Sequence, residues 1–279
     1  MVNDKLIICR GGGDLATGIV HRLTKAGFRT LILEKSNPSA IRRQVSFSEA
    51  VYETETTIEG ITARLIKNYD EINEVFDNNQ VPVLVDTEAK AIHELKPDIV
   101  IDAMIAKENL GTDINMADLV IGVGPGFTAG MDVHVVIETM RGHNLGRIIT
   151  DGSAMPNTGI PGVIAGYSSE RVIHAEKPGV IRNTSQIGSM VKKDDEIARI
   201  YDGVECQGDY FSVRATISGV LRGLIRDGYY VSKGFKIADI DPREGEIVNC
   251  FTISDKSRSI GGSVLEVVCA HFLDENNLD

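Results

Sequence analysis

A glycine-rich string near the start of the chain has the pattern of a phosphate-binding turn. Residues 11–18 read GGGDLATG and satisfy the spacing G-x-G-x-x-G/A. Glycines allow a tight turn and let a phosphate approach the backbone, and the following helix N-terminus offers unpaired N–H groups. A glycine-tight turn without any ligand is the alternative. We predict that this string binds a cofactor through Gly11, Gly12, Gly13, Asp14 and Ala16.

Charged residues after the turn would select the ligand. Glu34 follows about twenty residues further on, where an acidic residue can accept a hydrogen bond from a ribose hydroxyl. Arg42 and Arg43 could contact a nucleotide phosphate or an anionic substrate, although a solvated helix start explains them equally well. Asp14 complicates this interpretation, because its carboxylate repels phosphate unless it points away, caps the helix or helps to hold a cation.

A second group of polar residues follows a predicted strand at residues 98–103. Asp102, Lys107 and Asn109 should lie at the carboxyl edge of a sheet, which is where open α/β folds bind ligands. We therefore assign Asp102 to cofactor binding and Lys107 to a candidate catalytic role.

The densest polar block is residues 124–146, GPGFTAGMDVHVVIETMRGHNLG. Gly124 and Gly126 are predicted to contact the cofactor. Asp132 and His134 share one face of a strand, and with His143 across a hairpin they could hold a metal or perform acid–base catalysis. Ordinary hairpin hydrogen bonding explains the same residues equally well, so the sequence leaves a metal site undecided.

The elements that would position these residues alternate between strands and helices. Apolar runs predict strands at residues 5–9, 30–33, 81–85, 98–103 and 119–123, and spaced apolar residues predict helices at 14–26, 71–76 and 90–95. This alternation predicts a Rossmann-like, doubly wound α/β sheet over residues 1–165. Near its end, HVVIET and RIIT predict a hairpin.

An internal repeat marks the second part of the chain. Residues 179–200 align without gaps on residues 219–240, which predicts two equivalent β units. The pattern resembles the barrel-sandwich hybrid of biotinyl and lipoyl carriers, and we place such a domain at residues 166–245. No lysine occurs between residues 201 and 218, so biotin and lipoate are excluded. Residues 246–279 should form a segment whose helix packs on the first domain.

Composition limits the function classes. The formal charge of −11 disfavours nucleic-acid binding, and no apolar run reaches the ~20 residues of a membrane span. The four cysteines, Cys9, Cys206, Cys250 and Cys269, are widely spaced and favour buried thiols over disulfides. No export signal is visible, so we expect a cytoplasmic protein.

With these strings in view, the chain resembles the YqeB family, accessory proteins of selenium-dependent molybdenum hydroxylases. The similar blocks extend over nearly the whole chain and are RGGGDLATG, AIRRQVSFSEAVY, IDAMIAKENLGT, GPGFTAGMDVHVVIETMRGHNLGR, GVLRGLI, KIADIDPR and SDKSRSIGG. The amino-terminal block is also similar to the Rossmann part of XdhC-type accessory proteins. The resemblance implies a role in maturing a hydroxylase of the xanthine dehydrogenase or purine hydroxylase type, through selenium or the molybdenum cofactor.

Three functional hypotheses follow. The first is a maturation factor that binds a nucleotide or the pterin phosphate of the molybdenum cofactor at the glycine turn and has a molybdenum hydroxylase as its partner. The second is an NAD(P)-dependent oxidoreductase, and the third a non-catalytic scaffold that docks a hydroxylase. Whether the chain is an enzyme or a homo-oligomer is left open.

Overall fold

The computed structural model describes residues 5–159, 162–203 and 205–275. The chain divides into two compact units. The first comprises Met1–Pro38, Ser46–Thr158 and Ile253–Asp279, and the second comprises Ser39–Val45 and Gly159–Thr252. The domain boundaries predicted at residues 165 and 245 stay predictions.

A nine-stranded mixed sheet lies at the centre of the first unit. Its strands are β1 (Leu6–Arg10), β2 (Arg29–Glu34), β3 (Glu55–Ile58), β4 (Ile61–Ile66), β5 (Val81–Val85), β6 (Ile99–Asp102), β7 (Leu119–Val123), β9 (Val135–Ile137) and β10 (Ile148–Ile149). A small two-stranded sheet pairs β8 (Thr128–Ala129) with β11 (Gly152–Ser153). The helices of the unit are α1 (Asp14–Lys25), α2 (Ala50–Glu53), α3 (Ile72–Asp77), α4 (Lys90–Leu95) and α5 (Asp255–Glu275).

Both faces of the large sheet are buried. Along β1, Ile7 and Cys9 belong to one apolar cluster and Ile8 to another, because successive side chains of a strand point to opposite faces. The first cluster also contains the apolar residues of α1 and α5. These two helices approach closely, since a Cβ on Gly18 would lie 2.6 Å from the Cβ of Ser257. The apolar run that predicted a strand covered on both faces is confirmed.

The predicted fold class is wrong. We expected a doubly wound, Rossmann-like sheet followed by a barrel-sandwich hybrid, whereas the chain has a large mixed sheet, smaller antiparallel sheets and a C-terminal helix. The nine-stranded sheet ends in antiparallel hairpins, β3–β4 on one side and β9–β10 on the other. Between β6 and β7 the connection contains only the short 3₁₀ turn Ile114–Met116 in place of a crossover helix.

The second unit contains two four-stranded antiparallel sheets. One has the order β12-β19-β17-β14 and the other β16-β15-β13-β18. Their strands are β12 (Val172–His174), β13 (Gly179–Asn183), β14 (Met190–Val191), β15 (Glu196–Tyr201), β16 (Tyr210–Arg214), β17 (Gly219–Leu224), β18 (Tyr230–Val231) and β19 (Lys236–Asp241). The repeat halves are equivalent, because β13 pairs with β15 and β18 as β17 pairs with β19 and β14.

Within the described residues, none of the helices has both the length and the hydropathy that crossing a bilayer requires. The predicted cytoplasmic location stays a prediction.

Candidate functional site

The parallel strands of the large sheet place their carboxyl ends along one edge. Seven strands are parallel, in the order β4-β5-β2-β1-β6-β7-β9. The next strand along the chain, β2, pairs with one side of β1, and the later strand β6 pairs with its other side. Ligands of open parallel sheets bind outside the carboxyl ends where the winding reverses. That position is next to the glycine turn after β1, and we call the turn, Glu34 and the loop at residues 103–112 the glycine-turn site.

Close packing explains the first two glycines of the turn. Gly11 has φ +96°, and a Cβ there would lie 3.1 Å from the Cα of Met104. A Cβ on Gly12 would lie 3.0 Å from the backbone nitrogen of Ser48. The Gly12 N–H donates to Glu34 Oε2 at 2.9 Å. The sequence pattern therefore brings Glu34 to the turn, but as an acceptor for the backbone of the turn itself.

The third glycine of the turn leaves open space at the start of α1. Gly13 is the N-cap of that helix with φ −70° and has no side-chain cap. No heavy atom lies within 4 Å of the position that its Cβ would occupy. The neighbouring carboxylate of Asp14 accepts a hydrogen bond from Ser257 Oγ at 2.9 Å. Ala16 is fully buried and packs in the core.

A buried ion pair holds the loop after β6. Arg10 Nη1 lies 3.2 Å from Asp102 Oδ2, and both side chains are almost entirely buried. Thr112 Oγ1 donates to the same carboxylate oxygen at 2.5 Å, and Arg10 also donates to Thr112 and to the carbonyl oxygen of Leu110. Asp102 was predicted to bind a cofactor. Its observed partners are protein groups that fix the two ends of the loop.

The loop itself contains strained backbone. Ile105 has φ +56° and Lys107 has φ +70°, and positive φ is costly for a β-branched residue such as isoleucine. Lys107 is exposed and has no ion-pair partner among the residues that the structure describes. Gly126 permits this loop to pack closely, because a Cβ there would lie 2.8 Å from the Cα of Glu108. Gly124 directly follows β7, and a Cβ there would lie 3.0 Å from Thr139 Oγ1.

The two predicted arginines belong to the second unit. Arg42 donates to the carbonyl oxygens of Asn249 at 3.0 Å and Thr252 at 3.3 Å. Arg43 Nε donates to the carbonyl oxygen of Leu224 at 2.9 Å. Their guanidinium groups thus have structural partners within that unit, and ligand binding by them stays a prediction.

Two members of the proposed acid–base or metal group have local hydrogen-bond partners, and the catalytic role of the group stays a prediction. Asp132 Oδ2 accepts from the Thr128 N–H at 2.9 Å, which makes it a turn acceptor. His134 precedes β9 and accepts from the Val120 N–H through Nδ1 at 2.9 Å. His143 follows β9 and is exposed on the hairpin loop.

These contacts favour a neutral His134. Burial lowers the pKa of His134, and the nearby His271 lowers it further, against the opposing effect of Asp118. Among the described residues, no group of three or more His, Cys, Asp or Glu side chains has the geometry of a metal site.

The sequence did not identify Arg10 or Glu138 as functional candidates. Arg10 ends β1 within an otherwise apolar strand, and Glu138 directly follows β9 as Asp102 ends β6. A polar residue at the end of a buried strand was the available signal. It was used for Glu34 and Asp102 but not for Arg10 or Glu138.

Comparison with known proteins supports the YqeB resemblance. No protein-family model matches the chain. The chain is 46% identical over 264 residues to the uncharacterized protein YqeB of Escherichia coli (strain K12), covering 95% of this chain and 47% of that one. It therefore spans about half the length of this curated relative. The relative carries no assigned activity.

Solved structures give only a distant likeness. The product-bound ectoine utilization protein EutE (DoeB) from Ruegeria pomeroyi is 13% identical with a TM-score of 0.25, covering 78% of this chain and 59% of that one. A succinylglutamate desuccinylase from Silicibacter sp. is 13% identical with a TM-score of 0.27, covering 85% and 84%. An aspartoacylase family protein from Mesorhizobium loti is 12% identical with a TM-score of 0.27, covering 80% and 60%. Scores this low carry no functional argument.

The predicted biological role is corrected. The solved structures named above are of the desuccinylase and aspartoacylase type, the curated relative is uncharacterized, and none of these proteins is named as a hydroxylase-maturation protein. We do not retain the role in maturing a selenium-dependent molybdenum hydroxylase, nor its oxidoreductase and scaffold alternatives. The predicted partners and oligomeric state stay predictions.

Proposed function

We propose that this chain binds a small phosphate-bearing ligand at the glycine-turn site. The observation that carries the proposal is the open, uncapped start of α1 at Gly13. The first N–H groups of a helix lack intrahelical partners and carry the positive end of the helix dipole, so they attract anions. This opening lies at the carboxyl edge of the sheet, where the winding direction reverses.

The surrounding charges are consistent with such a ligand. The carboxylate of Asp14 accepts a hydrogen bond from Ser257 on α5, which fixes the position of this negative charge without removing it. Lys107 adds an exposed cation on the loop that packs against the turn. The same loop approaches Gly11 through Met104.

Glu34 gives the site a selectivity for hydroxyl groups. Its two carboxylate oxygens accept from the backbone N–H groups of Gly12 and Lys35, each at 2.9 Å. An ionised carboxylate has about four acceptor positions, so two remain for a ligand hydroxyl. Both ligand classes that the sequence predicted, a nucleotide of the NAD(P) type and the molybdenum cofactor, carry phosphate and are proposals here.

A matched pair of nucleotide probes tests this function. Isothermal titration calorimetry should show that ADP binds at least about tenfold more tightly than adenosine, which has the same base and ribose but no phosphate. NAD⁺, NADP⁺ and inorganic phosphate complete the series. Equal affinities for ADP and adenosine, or no heat from any probe at millimolar concentration, would overturn the proposal.

A further inference from the structure

The first unit contains a separate, open cavity beside the β9–β10 hairpin. Its volume is about 420 Å³, and all its lining residues lie between Glu138 and Met155. This volume is near the lower end of the usual range for ligand pockets. The cavity therefore suits a ligand of amino-acid size, and its lining shares no residue with the glycine-turn site.

Glu138 supplies a fixed negative charge to the wall of this cavity. The residue is only 3% exposed. Its Oε1 accepts from the Met140 N–H at 2.7 Å, and its Oε2 accepts from the N–H of Met155, another lining residue, at 2.8 Å. These bonds hold the carboxylate in place and use only about half of its acceptor capacity. The remaining capacity can bind a donor such as an ammonium group.

Two further charges line the cavity. Arg147 lies on the hairpin and Asp151 follows it, and both are exposed. Neither side chain has an ion-pair partner in the described parts of the chain. The lining thus carries two carboxylates and one guanidinium group, and the side chains of Ile148 and Met155 supply apolar surface beside them.

We propose that this cavity binds a small molecule with two ammonium groups, one carboxylate and an aliphatic stem, which is the pattern of a dibasic amino acid. The two ammonium groups complement Glu138 and Asp151. Arg147 binds the ligand carboxylate, for which a guanidinium group has the matching planar geometry.

Three probes of nearly equal length separate these contacts. L-lysine has all three charged groups, L-norleucine lacks the side-chain ammonium, and cadaverine lacks the carboxylate. Titration calorimetry should show that L-lysine binds at least about tenfold more tightly than either of the others. Equal binding of L-norleucine, or no binding of L-lysine at millimolar concentration, would overturn the proposal.

A substitution of Arg147 tests the carboxylate contact. Arg147→Gln should weaken L-lysine binding about tenfold and leave cadaverine binding unchanged, because cadaverine has no carboxylate. Arg64→Gln, which removes a half-buried arginine of β4 in the same unit, is the control and should change neither affinity. Equal weakening of L-lysine and cadaverine by Arg147→Gln would refute the assigned contact.

Amide NMR shifts locate the bound probe. L-lysine should shift the signals of Gly146 and Gly152, which lie close to the lining residues, and leave Gly13 unchanged. Shifts confined to Gly13 would place the probe at the glycine-turn site and overturn this assignment.

Discussion

Gly13→Asp tests the anion site with little risk to the fold. Gly13 has φ −70° and ψ −176°, a conformation that any residue can adopt, and a Cβ there meets no atom within 4 Å. Aspartate is a favoured N-cap residue that improves on glycine by only a few tenths of a kcal/mol. The substitution therefore places a carboxylate at the proposed phosphate position while α1 stays folded.

The expected loss of affinity follows from Coulomb's law. A carboxylate about 5 Å from one phosphate charge weakens binding by about 1 kcal/mol with the dielectric constant of bulk water and by about 3 kcal/mol at a partly buried protein surface. This corresponds to a roughly 5–150-fold weaker Kd for ADP. The effect should shrink as ionic strength rises, because salt screens exposed charges.

Gly13→Asn is the matched control for this experiment. Asparagine has nearly the size of aspartate and caps helices about as well, so the ratio of the two Kd values isolates the charge. Titration calorimetry with ADP at low and high salt measures the ratio, and thermal unfolding confirms that both variants fold. Equal affinities of the two variants for ADP would refute the assignment of phosphate to the start of α1.

Three further predictions concern stability. Gly18→Ala should lower the free energy of unfolding by about 1–3 kcal/mol in urea denaturation, because the added Cβ would lie 2.6 Å from the Cβ of Ser257. Gly262→Ala, where nothing lies within 4 Å, should raise it by about 0.5–1 kcal/mol, and a loss there would contradict the helix-packing argument. The third prediction concerns Glu59, whose pKa lies below its usual 4.5. Burial acts to raise this pKa, but hydrogen bonds from the Ile253 N–H and Arg258 lower it by more. The stability that Glu59 contributes is present above pH 4.5 and is lost as the pH falls through the lowered pKa. Unfolding curves of Glu59→Gln and the parent should therefore converge in acid, and a constant difference would contradict this.

Local patterns in the sequence predicted the inner elements well. The apolar run at residues 5–9 became β1 at Leu6–Arg10, and the apolar stripe at 14–26 became α1 at Asp14–Lys25. The predicted repeat is also confirmed, because the equivalent residues Gly179 and Gly219 have similar positive φ values, +148° and +155°. Buried strands and repeated turns are specified by neighbouring residues, so their sequence signal is strong.

The edge hairpin β3–β4 was missed because its signal is weak. Of residues 55–58 only Ile58 is buried, so the apolar run that marks a buried strand is absent. The turn at Glu59 and Gly60 has positive φ at both residues, as hairpin turns with the twist of the strands require. Glutamate is not typical of the first of these positions, so the sequence did not predict such a turn.

Proximity along the chain did not reveal the hydrogen-bond partners of Arg42. Arg42 follows Glu34 by only eight residues, which suggested one shared site. The short segment Ser39–Val45 instead belongs to the second unit, and Arg42 bonds there to carbonyl groups more than two hundred residues away in sequence. Such long-range partners leave no local pattern.

The glycine turn shows why a motif can overstate a site. Read alone, the string GGGDLATG offers successive N–H donors to a pyrophosphate. In the folded chain the Gly11 N–H donates to the carbonyl oxygen of Leu33 at 2.8 Å, and the Gly12 N–H donates to Glu34. A ligand along the whole turn would have to displace both bonds, whereas a single phosphate at Gly13 displaces neither. The internal carboxylate of Glu34 thus restricts the anion site to the start of α1.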